Sequence, residues 1–415
     1  MNVLVIGSGG REHAIVKAIS KSSMCKNLCV IPGNPGMTSL AKCIDIDPMN
    51  NELIKEFCAK QKIDLIIPGS EVYLENGIHD VFLNTNVKVF GPTKKAAQIE
   101  SSKEYAKDLM KKYNIPTSNY EMFDNYENAL SYIKEVGTPI VLKYDGLAGG
   151  KGVVVCMDDE TAFKAIDEML NKRIYGNAKV VIEEYLEGPE FSLMSFVHYD
   201  KIITMPIAQD HKRLLENDEG PNTGGMGIYS SVPIIPDSAV NEAINSVMKQ
   251  TVKAMIKENN PFTGFLYGGL MLTEDGPKVI EFNARFGDPE AEVILPKLES
   301  DILEVITKLL QGDVMEPKWN DDFYLGVVMA SKGYPKTYEK GYVIEGLDDI
   351  NEYVYHMGTR VENDVLKTNG GRVLLVLGVG NTLEDAKAHA YSNVDKIKCD
   401  NLIFRRDIGH KALKG

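Results

Sequence analysis

Apolar positions in residues 1–90 arrive as short runs separated by stretches of helical spacing. Residues 3–6 form an apolar run that ends in glycines, and residues 11–20 carry Ala14, Ile15, Ala18 and Ile19 on one helical face. Residues 28–31 read as a second strand closing at Pro32-Gly33, residues 51–61 as a helix, and residues 65–67 and 87–90 as further strands. This βαβ alternation predicts an open, mostly parallel sheet. Ligands of such sheets sit at the carboxyl ends of the strands, where residues 7–11, 32–36 and 69–71 fall.

Gly91-Pro92-Thr93 marks a boundary, followed by a helical stretch over 94–113 and then Ile115-Pro116. Residues 140–198 read as strand, glycine turn, strand, helix, strand, turn, strand, an α+β unit, and a larger mixed region continues to residue 312. From residue 325 the text is rich in strands and turns, with one helix over 383–392. The expected fold class is α/β and α+β multidomain: an N-terminal open parallel-sheet domain over 1–100, a central region over 101–320, and a small β-rich C-terminal α+β domain over 321–415.

Composition narrows the function classes. A chain of 415 residues suggests about two to four domains. Apolar residues at 44% and charged residues at 25% are ordinary for a globular chain. The balance of 46 Lys and Arg against 59 Asp and Glu, −13 overall, argues against general nucleic-acid binding but leaves room for a basic pocket around a phosphorylated small molecule. No leader and no run near the ~20 apolar residues of a membrane span is found, so no membrane partner is expected. The six cysteines, Cys25, Cys29, Cys43, Cys58, Cys156 and Cys399, lack a Cys-x-x-Cys pair and read as reduced thiols. A cytoplasmic enzyme of small molecules is expected.

Four segments carry chemistry. Gly7-Ser8-Gly9-Gly10 follows a strand, but Glu12 stands where a dinucleotide fingerprint needs its third glycine. The second strand also ends without an acid for a ribose hydroxyl. Either the turn holds a phosphate of another ligand at a helix amino end, or it is only structural; the motif leaves both open. Lys143-Tyr144-Asp145-Gly146-Leu147-Ala148-Gly149-Gly150-Lys151-Gly152 is not a Walker loop, because Asp145 and Gly152 stand where Gly and Ser or Thr would be needed. It reads as a glycine-rich hairpin able to fold over phosphates with its backbone N–H groups and a lysine. The segment from Val180 to Ser192 runs an apolar strand into Glu183, Glu184, Leu186 and Glu190 around Gly188-Pro189, a crossing whose backbone could pair with a base and whose acid could accept ribose hydroxyls. In Val279-Ile280-Glu281-Phe282-Asn283, alternation puts Glu281 and Asn283 on one face, a platform for Mg²⁺, and Arg285 continues that face if the strand persists.

In this order these motifs resemble the ATP-grasp superfamily. The finer text is similar to the phosphoribosylamine–glycine ligase family: Gly7-Ser8-Gly9-Gly10-Arg11-Glu12-His13-Ala14, Pro32-Gly33-Asn34-Pro35-Gly36, Gln209-Asp210-His211-Lys212-Arg213, Pro221-Asn222-Thr223-Gly224-Gly225-Met226-Gly227, Arg285-Phe286-Gly287-Asp288-Pro289-Glu290 and Thr368-Asn369-Gly370-Gly371-Arg372-Val373. The pieces span nearly the whole chain. The resemblance implies ligation of glycine to 5-phosphoribosylamine with ATP as co-substrate, by a stand-alone monomer. It makes 101–320 the ATP-grasp region, with a mobile lid over about 117–190.

The same resemblance implies the site residues. Lys103 and Lys143 contact ATP phosphates under a cover formed by Gly149, Gly150, Lys151 and Gly152. Glu183, Glu184 and Leu186 meet the adenine and Glu190 the ribose. Glu281 and Asn283 hold Mg²⁺, with Mn²⁺ as the alternative ion, and Arg285 joins Lys143 in stabilising the transferring phosphoryl group. Gly9, Gly10, Arg11, Glu71, Asp210, Lys212, Gly225, Asp288, Gly370 and Arg372 border the other substrates. Two departures stand out: the strand before Glu281 carries no acid, and Pro68-Gly69-Ser70-Glu71 lacks the prolines usual in the family. Rival readings are another ATP-grasp ligase, a nicotinamide oxidoreductase and a non-catalytic ATP-binding regulator.

Overall fold

A computed structural model describes residues 1–146, 152–177 and 179–413. Five parallel strands, β1 (Asn2–Gly7), β2 (Asn27–Pro32), β3 (Lys42–Cys43), β4 (Leu65–Pro68) and β5 (Lys88–Val89), lie in the order β3-β2-β1-β4-β5. β1 is central and apolar on both faces, as a strand covered on both sides must be. Helix α1 (Gly10–Ser20) leaves its carboxyl end, and the Gly9 N–H donates to Glu12 Oε2 at 2.6 Å to close the first turn. Helices α2 (Asn51–Gln61), α3 (Glu71–Glu75) and α4 (Ile78–Phe82) complete this layer.

The helical stretch expected over 94–113 is two helices, α5 (Gln98–Ser101) and α6 (Lys103–Tyr113). Ser102 is extended, and its hydroxyl accepts from the Tyr105 N–H, so it breaks one helix and caps the next. An antiparallel sheet follows, β6 (Tyr120–Phe123), β7 (Ile140–Tyr144), β8 (Val153–Cys156) and β9 (Val180–Glu184), in the order β6-β9-β7-β8. With α7 (Tyr126–Val136) and α8 (Asp159–Ile166) it encloses its own small core around Ile133, Leu142, Ile166 and Ile182.

Beyond it lie β10 (Glu190–His198), β11 (Lys201–Thr204), β12 (Gln209–Asp210), β13 (Arg213–Leu215), β14 (Glu219–Asn222) and β15 (Gly227–Ser230). After α9 (Asp237–Glu242) and α10 (Lys249–Lys257), the long hairpin β16 (Thr263–Thr273) and β17 (Gly276–Asn283) returns to β10, giving the sheet β11-β10-β16-β17. Short α11 (Ala291–Ile294) and α12 (Ile302–Leu310) lead to β18 (Phe323–Ser331), β19 (Val354–His356), the hairpin β20 (Thr359–Glu362) and β21 (Val365–Thr368), and β22 (Arg372–Gly380). Helix α13 (Leu383–Val394) packs on β22. The last large sheet, β12-β15-β18-β22-β19, recruits two strands from before the central hairpin, so Asp210 and Arg372 belong to one sheet.

A cluster of aromatic rings ties the N-terminal layer to the central sheet. Phe265 lies 5.0 Å from Phe90, 5.4 Å from Phe196 and 4.8 Å from Phe286, centroid to centroid, and all four are buried. Phe265→Ala is expected to lower stability by about 3–5 kcal/mol, read from the urea midpoint; a loss under 1 kcal/mol would contradict this role for the cluster.

Candidate active site

The end of β17 is the natural starting point. Its register against β16 shifts, with Gly269 opposite Glu281 but Leu270 opposite Val279, so Ile280 is extra. Past this bulge Glu281 and Asn283 flank buried Phe282 and share a face, as alternation predicts. No hydrogen bond or ion pair engages either side chain among the described residues. Burial alone would raise the Glu281 carboxyl; Lys212, Lys143, Lys103 and Arg285 outweigh it and hold the group below the usual range. An ionised carboxylate beside an uncommitted amide oxygen is the donor set that a hard divalent cation takes.

The strand does not persist to Arg285, as the expectation of a continued face requires; it ends at Asn283 and the backbone bends. The reason is a clamp. The Ala284 N–H donates to Glu100 Oε2 at 2.6 Å, and Arg285 places Nε 3.2 Å from Glu71 Oε2 and Nη2 3.2 Å from Glu100 Oε1. Its Nη1 donates to the Phe286 carbonyl at 3.1 Å. The two acids respond differently. For Glu71, burial is overcome by Arg285 and Arg11, and the carboxyl falls to about 2. For Glu100 burial wins, with Arg285 opposing it, and the carboxyl rises to about 7. Glu71 thus stands beside Arg285 despite the altered residues before it.

The lysines form a second buried array. Glu183 Oε1 lies 3.0 Å from Lys143 Nζ, and its Oε2 lies 2.9 Å from Lys107 Nζ and accepts from the Ser118 hydroxyl at 2.7 Å. All three ionic side chains are at most 5% exposed, so the pairing is desolvated. Burial lowers Lys107 to about 8, with Glu183 opposing the fall. The Glu183 carboxylate therefore serves two cations. Lys143 also donates to the Ile280 carbonyl at 2.8 Å, which ties β7 to the bulge. Lys103 donates to the Gly146 carbonyl at 3.2 Å, while Asp145 Oδ1 accepts the Lys103 N–H at 2.7 Å, docking the base of the glycine-rich hairpin on the first turn of α6. Gly149, Gly150 and Lys151 lie outside the described residues; Gly152 follows them, and its carbonyl accepts from the Tyr144 N–H at 2.8 Å. Exposed Glu184 accepts from the Asn119 side chain at 3.0 Å, and Leu186 is buried beside it.

On the other side of Glu281, Lys212 Nζ stands 3.5 Å from Glu190 Oε2. Burial opposes the Lys212 charge, yet Glu190, Tyr267, Glu281 and Asp210 lift it well above the ordinary lysine range. Asp210 Oδ1 is buried with no hydrogen-bond partner among the described residues, and burial, reinforced by Glu290, raises this carboxyl. Gly225 has φ +112, and a side chain there would meet Asp210 Oδ1 at 2.6 Å and Pro289 at 2.8 Å, so only glycine lets this turn close on the acid. Glu290 accepts from the Ser192 hydroxyl at 2.8 Å.

The last group surrounds the amino end of α1. Arg11 Nε lies 2.7 Å from Glu12 Oε1. Arg372 Nη2 lies 2.9 Å from Asp288 Oδ1, and its Nη1 donates to the Gly224 carbonyl at 2.6 Å. The Gly370 carbonyl accepts from the Ser331 hydroxyl at 2.8 Å. The structure thus brings Arg11, Glu71, Arg285, Asp288 and Arg372 onto one wall and Lys103, Lys143 and Lys212 around Glu281. Lys107, Glu100, Ser118 and Glu292 went unnoticed in the sequence. Lys107 had a signal, since it repeats Lys103 at i+4 on one helix; Glu100 had none.

Matches with known proteins cover almost the entire chain. Residues 1–100 match the phosphoribosylglycinamide synthetase N domain, residues 101–291 its ATP-grasp (A) domain and residues 324–411 its C domain. The chain is 51% identical over 417 residues to the phosphoribosylamine–glycine ligase of Halalkalibacterium halodurans, covering 100% of this chain and 97% of the relative. It is 46% identical over 420 residues to that of Lactococcus lactis, covering 100% of both. The crystal structure of the phosphoribosylamine–glycine ligase of Thermotoga maritima superposes with a TM-score of 0.85 at 35% identity, over 99% of this chain and 100% of that one. A biotin carboxylase complex from Campylobacter jejuni shares the fold alone, with a TM-score of 0.71 at 15% identity over 97% of this chain and 92% of that one.

Two outcomes test the charge arrays. Glu183→Gln strands Lys107 and Lys143 without their counter-ion and is expected to cost about 3–5 kcal/mol of stability; an unchanged urea midpoint would contradict the array. Glu100 has a folded value near 7, above its usual 4.5, so its contribution to stability is full below pH 4.5 and is lost as pH rises through 7. Glu100→Gln should therefore gain on the parent between pH 5 and pH 8 in paired unfolding curves, whereas a gap independent of pH would refute the assignment.

Proposed function

The chain belongs to the phosphoribosylglycinamide synthetase family and is an ATP-dependent carbon–nitrogen ligase of purine biosynthesis, and we propose that the charged cleft around Glu281 joins glycine to 5-phosphoribosylamine through glycyl phosphate. The observation that carries the residue assignment is the convergence of Lys103, Lys143, Lys212 and Arg285 on one unbonded carboxylate. A cluster of cations suits polyphosphate, and phosphoryl transfer is mainly positioning and electrostatics.

Each group then has a task. Lys103 and Lys143 hold ATP phosphates. Glu183 keeps Lys143 in place, and Lys107 keeps Glu183 in place. Backbone groups from Glu184 to Leu186 meet the adenine, and Glu190 accepts the ribose hydroxyls. Glu281 and Asn283 hold a divalent cation, Mg²⁺ or alternatively Mn²⁺, which supplies positive charge to the phosphate oxygens when bound. The glycine carboxylate attacks the terminal phosphorus, ADP leaves, and Arg285 stabilises the negative charge on the moving phosphoryl group. Asp210 and Gly225 border the glycine, and the partnerless Asp210 oxygen suits its ammonium group. The amine of phosphoribosylamine attacks the acyl carbon and phosphate departs, giving glycinamide ribonucleotide. Gly9, Gly10, Arg11 and Arg372 receive the acceptor's phosphate, with Glu71 and Asp288 along its ribose. Because glycyl phosphate hydrolyses readily, the site must keep water from it; the glycine-rich segment expected from the sequence to do so lies, over 147–151, outside the described residues. The enzyme works as a cytoplasmic monomer in this reading; no helix among the described residues is long and apolar enough to cross a membrane.

Phosphate release, with product mass as the second readout, tests the assignment. Release is expected only with ATP, glycine and freshly made phosphoribosylamine together, to stop on chelation of divalent cations and to return with added Mg²⁺. Product from a different acid–amine pair, and none from this one, would overturn the substrate assignment.

A further inference from the structure

Glu292 stands next to the amino end of α1 and has no part in the reaction proposed for the cleft. It lies on α11, its side chain is fully buried, and neither carboxyl oxygen has a hydrogen-bond partner among the described residues. Its Oε1 points at Gly10: a methyl group built on Gly10 would collide with this oxygen and with Met357. Only glycine lets the first turn of α1 settle onto the carboxyl group.

The charges around Glu292 come from every side. Arg11 faces it from α1, Arg372 from β22, Asp288 from the preceding loop and the phenol of Tyr355 from β19. Both arginines are already committed, Arg11 to Glu12 at 2.7 Å and Arg372 to Asp288 at 2.9 Å. A carboxylate at this depth would have no ion pair of its own and a second acid beside it. Burial first, and Asp288 next, accordingly keep the Glu292 carboxyl well above the usual range, with Arg372 and Arg11 opposing. The first-turn N–H groups of Gly10 and Arg11 have no partner among the described residues, so the helix end remains open to an anion.

We propose that Glu292 is a positioning residue for the acceptor's phosphate: seated beneath Gly10, it leaves the amino end of α1 available to the phosphate only while it carries its own proton. The proposal rests on the reading that this phosphate docks at Gly9, Gly10 and Arg11. An ionised Glu292 would place a second negative charge under the same helix end and compete from inside the protein for the field that the phosphate uses.

Calorimetric titration of glycinamide ribonucleotide into wild type and Glu292→Gln between pH 7 and pH 9.5 tests this, because the ligand's own titration cancels in the ratio of the two dissociation constants. The ratio of wild type to variant is expected to rise by about tenfold or more across the range, as buried like charges a few ångströms apart imply. Glu292→Met, which cannot ionise either, should reproduce the pH response of the Gln variant if polarity alone is not the cause. A ratio that stays flat, or variants that lose thermal stability with no change in the pH response, would overturn the proposal. Inorganic phosphate serves as a second probe: if glycinamide ribonucleotide fails to bind wild type while the phosphate ratio still rises, the substrate reading falls and the role of Glu292 stands.

Discussion

Arg285 is the pivot of the molecule. Its guanidinium is held by Glu71 from the N-terminal layer and by Glu100 from the short helix that leaves that layer, while its own backbone follows directly on the strand that carries Glu281 and Asn283. The Arg285 side chain is 18% exposed, and two acids share its charge. This pairing brings three distant stretches of chain together at one residue. Raised above even the ordinary arginine range, the group is a permanent positive charge near Glu281. A chain of net charge −13 thus presents a concentrated basic interior to a polyanionic substrate.

The second array answers a different need. In the proposed function Lys143 reaches a phosphate, but an ammonium at the end of a buried strand would relax toward any nearby acceptor. Glu183 and the Ile280 carbonyl hold it from two sides, and Lys107 and Ser118 in turn hold Glu183. Each functional cation is supported by a group that contributes only position. This is the condition under which electrostatic stabilisation acts without reorganisation during the reaction.

Much of this was legible beforehand, for a physical reason. Period-two alternation over 279–283 is a local property, so the shared face of Glu281 and Asn283 could be read directly, and the short apolar runs before residue 90 marked the parallel sheet. The break at Ser102 was missed because helical spacing on either side masks one capping residue. Arg285 leaves the strand face because Glu100, distant in sequence, captures the Ala284 N–H. The bulge at Ile280 depends likewise on how β16 pairs with β17. The resemblance implies an adenine contact for Glu183, but its pairing with two lysines could not be read in advance, because they come from α6 and β7. Glu100 and Glu292 carry no motif at all; they matter through burial, which a single sequence does not state.

If the cleft activates a carboxylate by transferring a phosphoryl group to it, an oxygen of glycine must pass into phosphate. Glycine labelled with ¹⁸O in its carboxylate, with mass analysis of the released inorganic phosphate, tests this. One ¹⁸O atom is expected in phosphate for each glycinamide ribonucleotide formed. Product formed with unlabelled phosphate would contradict it, since the carboxylate oxygen would then never have been bonded to phosphorus.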